Sequence, residues 1–192
     1  LASTWNFSSR ENITVTGTQA TLKAKDASNM DWMILVSASK YIIFDSLRVD
    51  GNFINQTTGA GRGISVSDSL DIQVLNSHVF NFNGASSQSF AFFCWRSPNC
   101  VVRGSLFYNN GAADIRMGTD LADGTRDFLL DDTDTAKSFS DNCVITNNRF
   151  GIFPFSEFST ATDWDRKNAS QGAVQLVSTR GCVVSNNVMY SP

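Results

Sequence analysis

A chain of 192 residues with 42% hydrophobic side chains has the length of one domain and enough apolar material for a core. Its formal charge of −3 leaves no basic footprint, which argues against nucleic acid as a partner. No apolar run reaches the roughly 20 residues of a membrane-spanning helix, and the opening Leu1–Trp5 has neither an initiator Met nor a basic leader.

A short pattern recurs from the first unit onward: an apolar residue, two or three β-formers and a turn residue. Its first residues are Ile13, Ile42, Ile72, Cys100, Cys143 and Cys182, giving spacings of 29, 30, 28, 43 and 39. Such units cannot bury their apolar faces alone and must stack, the signature of a solenoid. The expected fold is all-β: a right-handed single-stranded parallel β-helix of about six coils in one domain over residues 1–192. The chain enters a repeat almost at once and shows no capping helix before Ile13 or after Tyr190, so it reads as a piece of a longer chain.

The first unit, Asn12–Ala24, is the least regular. The second reads as a strand at Trp32–Val36, a polar turn at Ser37–Lys40 and a continuation at Tyr41–Val49. The third repeats this at Gly63–Ser67, Leu70–Leu75 and His78–Phe82, and the fourth at Phe90–Cys94, Asn99–Arg103 and Leu106–Tyr108. Alternation points Ile34, Val36, Ile64, Val66, Val174 and Leu176 inward on the first strand. A bend after the second strand holds Ser46, Asn76, Gly104, Asn147 and Asn186. Asn tolerates left-handed backbone and can bond to stacked neighbours, so this column reads as an asparagine ladder.

Cys100, Cys143 and Cys182 occupy the position held elsewhere by Ile, and read as small apolar residues pointing inward with free thiols. One His and no close Cys pair give no metal-ligand spacing, so no metal site is expected from them. The next position holds Thr14, Ile43, Gln73, Val101, Val144 and Val183. Four aliphatics in an outward file imply a covered face, either by the same chain or by a neighbouring subunit; a homotrimer of side-by-side β-helices would use Ile43, Val101, Val144 and Val183.

The longer spacings place enlarged loops ahead of the first strands of the fifth and sixth units, at one corner of the coil and hence on one flank. The fifth unit carries a further insertion, Asp131–Lys137, after its first strand. Seven Asp residues lie between Asp114 and Asp134 beside Arg116 and Arg126, and the next loop holds Glu157, Asp163, Trp164, Asp165, Arg166 and Lys167 among Phe153, Phe155 and Phe158. Aromatic faces stack on sugar rings, Arg and Asp bond hydroxyls or uronates, and paired carboxylates run glycoside hydrolysis. Asp131, Asp132 and Asp134 offer a weak calcium signal, without EF-hand spacing. His78 should face outward as an exposed surface residue. Trp95, in the turn of the fourth unit, could stack a sugar or pack on Pro98.

Asn142–Asn148 (NCVITNN), Gly181–Asn187 (GCVVSNN) and Leu47–Asn52 (LRVDGN) give the chain a repeat grammar that resembles the pectate-lyase-like β-helix superfamily, especially bacteriophage tailspikes and polysaccharide depolymerases. The resemblance implies an extracellular or virion-surface protein, often trimeric, with a bacterial surface glycan as ligand. It carries over no catalytic residue, because the Asp-Pro-His, Gly-His-Gly and Arg-Ile-Lys strings of epimerases and polygalacturonases are missing. The expected function is binding and cleavage of such a polysaccharide, by a hydrolase in preference to a lyase. Asp127, Asp131 and Glu157 would do the chemistry, Arg116, Trp164 and Arg166 would hold the sugar, and no cofactor is required. The alternative is a non-catalytic glycan-binding adhesin or structural shaft.

Overall fold

β-Branched and aromatic residues alternate with polar ones in short runs throughout, and each run becomes a strand with one face turned in. The computed structural model describes residues 1–18, 20–56, 61–82, 89–111, 113–118, 140–151, 173–177 and 179–189. The first coil comprises β1 (Trp5–Ser8), β2 (Glu11–Thr16) and β3 (Thr21–Lys23); the second comprises β4 (Trp32–Ser37), β5 (Lys40–Asp45) and β6 (Arg48–Asp50). The third holds β7 (Arg62–Ser67), β8 (Gln73–Leu75) and β9 (His78–Phe80), and the fourth β10 (Phe90–Trp95), β11 (Val101–Arg103) and β12 (Leu106–Tyr108). In the fifth lie β13 (Ala113–Met117), β14 (Val144–Thr146) and β15 (Arg149–Gly151), and in the sixth β16 (Val174–Leu176), β17 (Val183–Ser185) and β18 (Val188–Met189).

Every third strand stacks on its predecessor in parallel, giving three sheets of six strands: a right-handed parallel β-helix of six coils. Trp5–Ser8 completes the first coil, which the sequence had suggested began later; of its four residues only Phe7 is buried, so its alternation was weak. Among the described residues no helix is long and apolar enough to cross a membrane.

The core fills the tube with columns of stacked side chains. On the first sheet Ile34 pairs with Ile64, Ile64 with Phe92, Phe92 with Ile115 and Ile115 with Val174. The third sheet aligns Leu22, Val49, Val79, Phe107, Phe150 and Met189. The Phe107 and Phe150 rings stack 5.5 Å apart, and Phe7 meets Phe44 edge-on at 5.3 Å. Each fully buried Ile, Val or Phe in these columns stabilises the fold by about 1.5–3 kcal/mol.

The corners are set by left-handed residues. Ser46, Asn76, Gly104, Asn147 and Asn186 all have φ between 48° and 65°, as their position in the repeat implied. The hydrogen-bonded ladder, however, runs through the next residue. Leu47 N–H donates to Ser77 Oγ (3.1 Å), Ser77 N–H to Ser105 Oγ (3.1 Å), Ser105 N–H to Asn148 Oδ1 (2.9 Å) and Asn148 N–H to Asn187 Oδ1 (2.8 Å). The left-handed residue turns its own side chain out and its successor's side chain in, where backbone donors of the adjacent coil need acceptors. A second ladder at the corner after the first strand uses Ser39, Ser69, Ser97 and Ser140 in the same way.

One loop assignment is corrected. The first strand of the fifth coil is Ala113–Met117, so residues 119–139 follow that strand instead of preceding it, while 152–172 precede the first strand of the sixth coil. The two enlarged segments therefore leave the coil at different corners, one at each end of the first sheet. Asp114 and Arg116, read as loop residues, are strand residues; the inward pair Ile115 and Met117 was hidden by the charges alternating with it.

Candidate functional site

The outward-facing register of the first sheet runs Leu35, Ser65, Phe93, Arg116 and Gln175 across β4, β7, β10, β13 and β16. Phe90, Phe93 and Ala113 form a small apolar cluster separate from the tube's core, with Trp95 packed against it. The rings of Phe90 and Phe93 stack 5.6 Å apart. Three guanidiniums lie over these aromatics: Arg62 over Phe93 at 4.5 Å, Arg116 over Phe90 at 5.4 Å and Arg96 over Trp95 at 4.0 Å. The aromatic faces attract the cations and fix their planes. Trp95 is thereby sandwiched into this cluster by Arg96, whose guanidinium also pairs with Asp68 at 2.6 Å.

Arg62 and Arg116 come from coils three and five and converge over the strand between them. Burial lowers the pKa of Arg62; Asp31 opposes that shift and the positive charge of Arg116 adds to it. The guanidinium remains charged, with Asp31 the acidic group whose field reaches it. Arg116 is 8% exposed, so it is nearly enclosed where it stands.

Of the residues expected to act on a sugar, Arg116 alone lies within the described part of the chain. Asp127, Asp131, Glu157, Trp164 and Arg166 lie outside it, as do the Asp131–Asp134 calcium candidates. Arg62, Phe90 and Phe93 had not been singled out. Their relation to Arg116 depends on pairing across coils whose spacing is irregular, although Arg62 could have been found by its place at the start of an aligned strand.

His78, expected as an exposed surface residue, is half-buried in the outward row of the third sheet between Arg48 and Leu106. Its Nδ1 lies 3.1 Å from Arg48 Nη1. A guanidinium can only donate, so Nδ1 accepts and the proton of the neutral ring sits on Nε2. Burial first, and the Arg48 charge second, lower the His78 pKa. Arg48 also lies 5.7 Å from the Phe80 ring, and Phe80 stacks on Tyr108 at 4.6 Å.

The outward file of the second sheet is continuous. Thr14, Ile43, Gln73, Val101, Val144 and Val183 lie side by side in register. Ile43, Val101 and Val144 are half-buried and Val183 is 50% exposed.

The fold defines the class: a parallel β-helix with an arginine–aromatic patch on one sheet. No protein-family model, curated protein or solved structure matches the chain.

Proposed function

We propose that the chain is an extracellular or virion-surface β-helix, tailspike-like in its repeat, that binds and cleaves an anionic bacterial surface polysaccharide. The observation that carries this reading is the pairing of Arg62 and Arg116 over Phe93 and Phe90 on the first sheet. Guanidiniums held flat by aromatic rings match the planar, bidentate geometry of a uronate carboxylate. The same sheet is bordered in sequence by the two acid-rich segments, 119–139 after β13 and 152–172 before β16. In this proposal Asp127, Asp131 and Glu157 supply acid and base, and Trp164 and Arg166 join Arg116 in holding the sugar. Hydrolysis is favoured over elimination by the abundance of carboxylates in those segments.

The outward file of the second sheet supports a second part of the proposal, a side-by-side homotrimer through Ile43, Val101, Val144 and Val183. An aliphatic row in coils two, four, five and six, interrupted by Gln73 in the third, is a surface that a neighbouring copy can cover. Light scattering coupled to gel filtration should read a trimer, and Val101→Lys with Val144→Lys should return it to monomer. A wild-type monomer removes this part.

The test of activity is incubation with a panel of acidic and neutral bacterial polysaccharides, following product size and the ultraviolet absorbance of an unsaturated uronate. Shortened products without new absorbance are the expected result, and Arg116→Ala should weaken the preference for acidic over neutral chains. Products with new absorbance would replace the hydrolase with a lyase. Retention of intact glycan on the immobilised protein would leave the non-catalytic adhesin. Neither cleavage nor retention would leave a structural shaft.

A further inference from the structure

The sequence places Cys94 at the end of β10 and Cys100 just ahead of β11, six residues on, with Cys143 one coil further along the tube. Folding brings all three sulfurs together. Cys94 Sγ and Cys100 Sγ are 3.1 Å apart, and the three Sγ atoms of Cys94, Cys100 and Cys143 all lie within 4.8 Å of one another. All three side chains are fully buried. The corner between the first and second strands of the fourth coil, with Arg96 at φ 47° and Asn99 at φ 57°, turns the Ser97 carbonyl inward above this group. Ser97 O lies 3.3 Å from Cys94 Sγ, 3.3 Å from Cys100 Sγ and 3.7 Å from Cys143 Sγ. Three soft donors and one oxygen thus face a common centre.

We propose that Cys94, Cys100 and Cys143 bind a single soft metal cation, of the zinc, cadmium or cuprous class, with the Ser97 carbonyl as a capping donor. A metal–sulfur bond of about 2.3 Å puts three ligating sulfurs a little under about 4 Å apart, inside the range this group already spans. Soft thiolates select such ions over calcium or magnesium. Each ligating thiol gives up its proton to solvent when the ion binds, and the cation supplies the countercharge that buried thiolates require. Cys182, one coil further on, directs its sulfur to Ser140 O at 3.3 Å and stands outside the set of three. The inference is independent of any glycan activity.

Because the centre is sealed, the test loads the ion during folding. The whole chain is unfolded under reducing conditions, refolded with cadmium(II), desalted, and weighed by native mass spectrometry alongside its ultraviolet spectrum. Expected are one cadmium per chain and a sulfur-to-cadmium charge-transfer band. Cys143→Ser should lower the affinity at least tenfold, whereas Cys182→Ser should leave the stoichiometry unchanged. Should Cys143→Ser fail to fold, the cadmium NMR shift of the wild type reads the ligand set directly, and three sulfurs are required. A folded, reduced wild type that retains no cadmium overturns the site. So does a chain two hydrogens lighter with two of its four thiols blocked, which would assign Cys94 and Cys100 to a disulfide instead.

Discussion

Asn147 and Asn148 are adjacent and chemically identical, yet the structure gives them different work, and substituting each to Ala separates the two. Asn148 is fully buried; its Oδ1 accepts from Ser105 N–H at 2.9 Å, and its Nδ2 donates to Val102 O at 3.0 Å and Asn187 Oδ1 at 3.1 Å. Alanine there strands a buried N–H at about 1–3 kcal/mol and weakens the Val102 carbonyl's bonding by about 1 kcal/mol more, a total of about 2–4 kcal/mol. Asn147 is exposed at φ 56°, and alanine costs only the left-handed penalty of about 1–2 kcal/mol. Asn147→Gly should cost nothing, since Gly104 fills the same position one coil earlier. Urea denaturation of the three variants, compared at equal m-value, provides the assay. If Asn147→Ala proves as damaging as Asn148→Ala, the hydrogen-bonded ladder does not run through the second residue and the account of the corners fails.

The remaining predictions concern a glycine, a core ring and a histidine. Gly118 has φ 79°, and a Cβ there would collide with the carbonyl oxygen of Val177, so Gly118→Ala combines backbone strain with overpacking. It should cost about 2–5 kcal/mol in the same denaturation assay, and a neutral result would contradict the placement of the sixth coil against the fifth. Phe107→Ala removes a ring stacked between Val79 and Phe150 in the core column and should cost about 3–5 kcal/mol. His78 has a folded pKa depressed by burial and then by Arg48, so the fold favours the neutral ring. Its contribution is fully present above the unfolded pKa of about 6.5 and is lost as pH falls below that value towards the lower folded pKa. A His78→Gln variant should show a flatter loss of stability between neutral and mildly acidic pH; an unchanged slope would remove His78 from the account.

How far the sequence disclosed this structure depends on whether a feature repeats. Stacking in parallel register forces equivalent residues of successive coils into line, so whatever recurs in the chain becomes a column in space. The inward position of Ile42, Ile72, Cys100 and Cys143, the outward file from Thr14 to Val183 and the left-handed corner from Ser46 to Asn186 were all legible for that reason. Asn148 was missed as the ladder residue because its position changes from Leu47 to Ser77 and Ser105 and then to Asn148 and Asn187, so no single residue type marks it, only a place beside the neighbouring coil's backbone. The strand Ala113–Met117 was missed because Asp114 and Arg116 gave it the composition of a loop; its register with Phe90–Cys94, once known, moves the first acid-rich insertion to the other end of the sheet. The features with the most chemistry repeat least. Cys94 has Val66 as its register neighbour in the coil before and Met117 in the coil after, so no column announces it, and its sulfur meets that of Cys100 only because the chain turns sharply through Ser97. Arg62 and Arg116 likewise converge from coils three and five through two aromatic rings of coil four. A solenoid encodes its scaffold in what stays the same from coil to coil. Its sites arise where one coil departs from the pattern and the stacking of its neighbours brings that departure into contact with another.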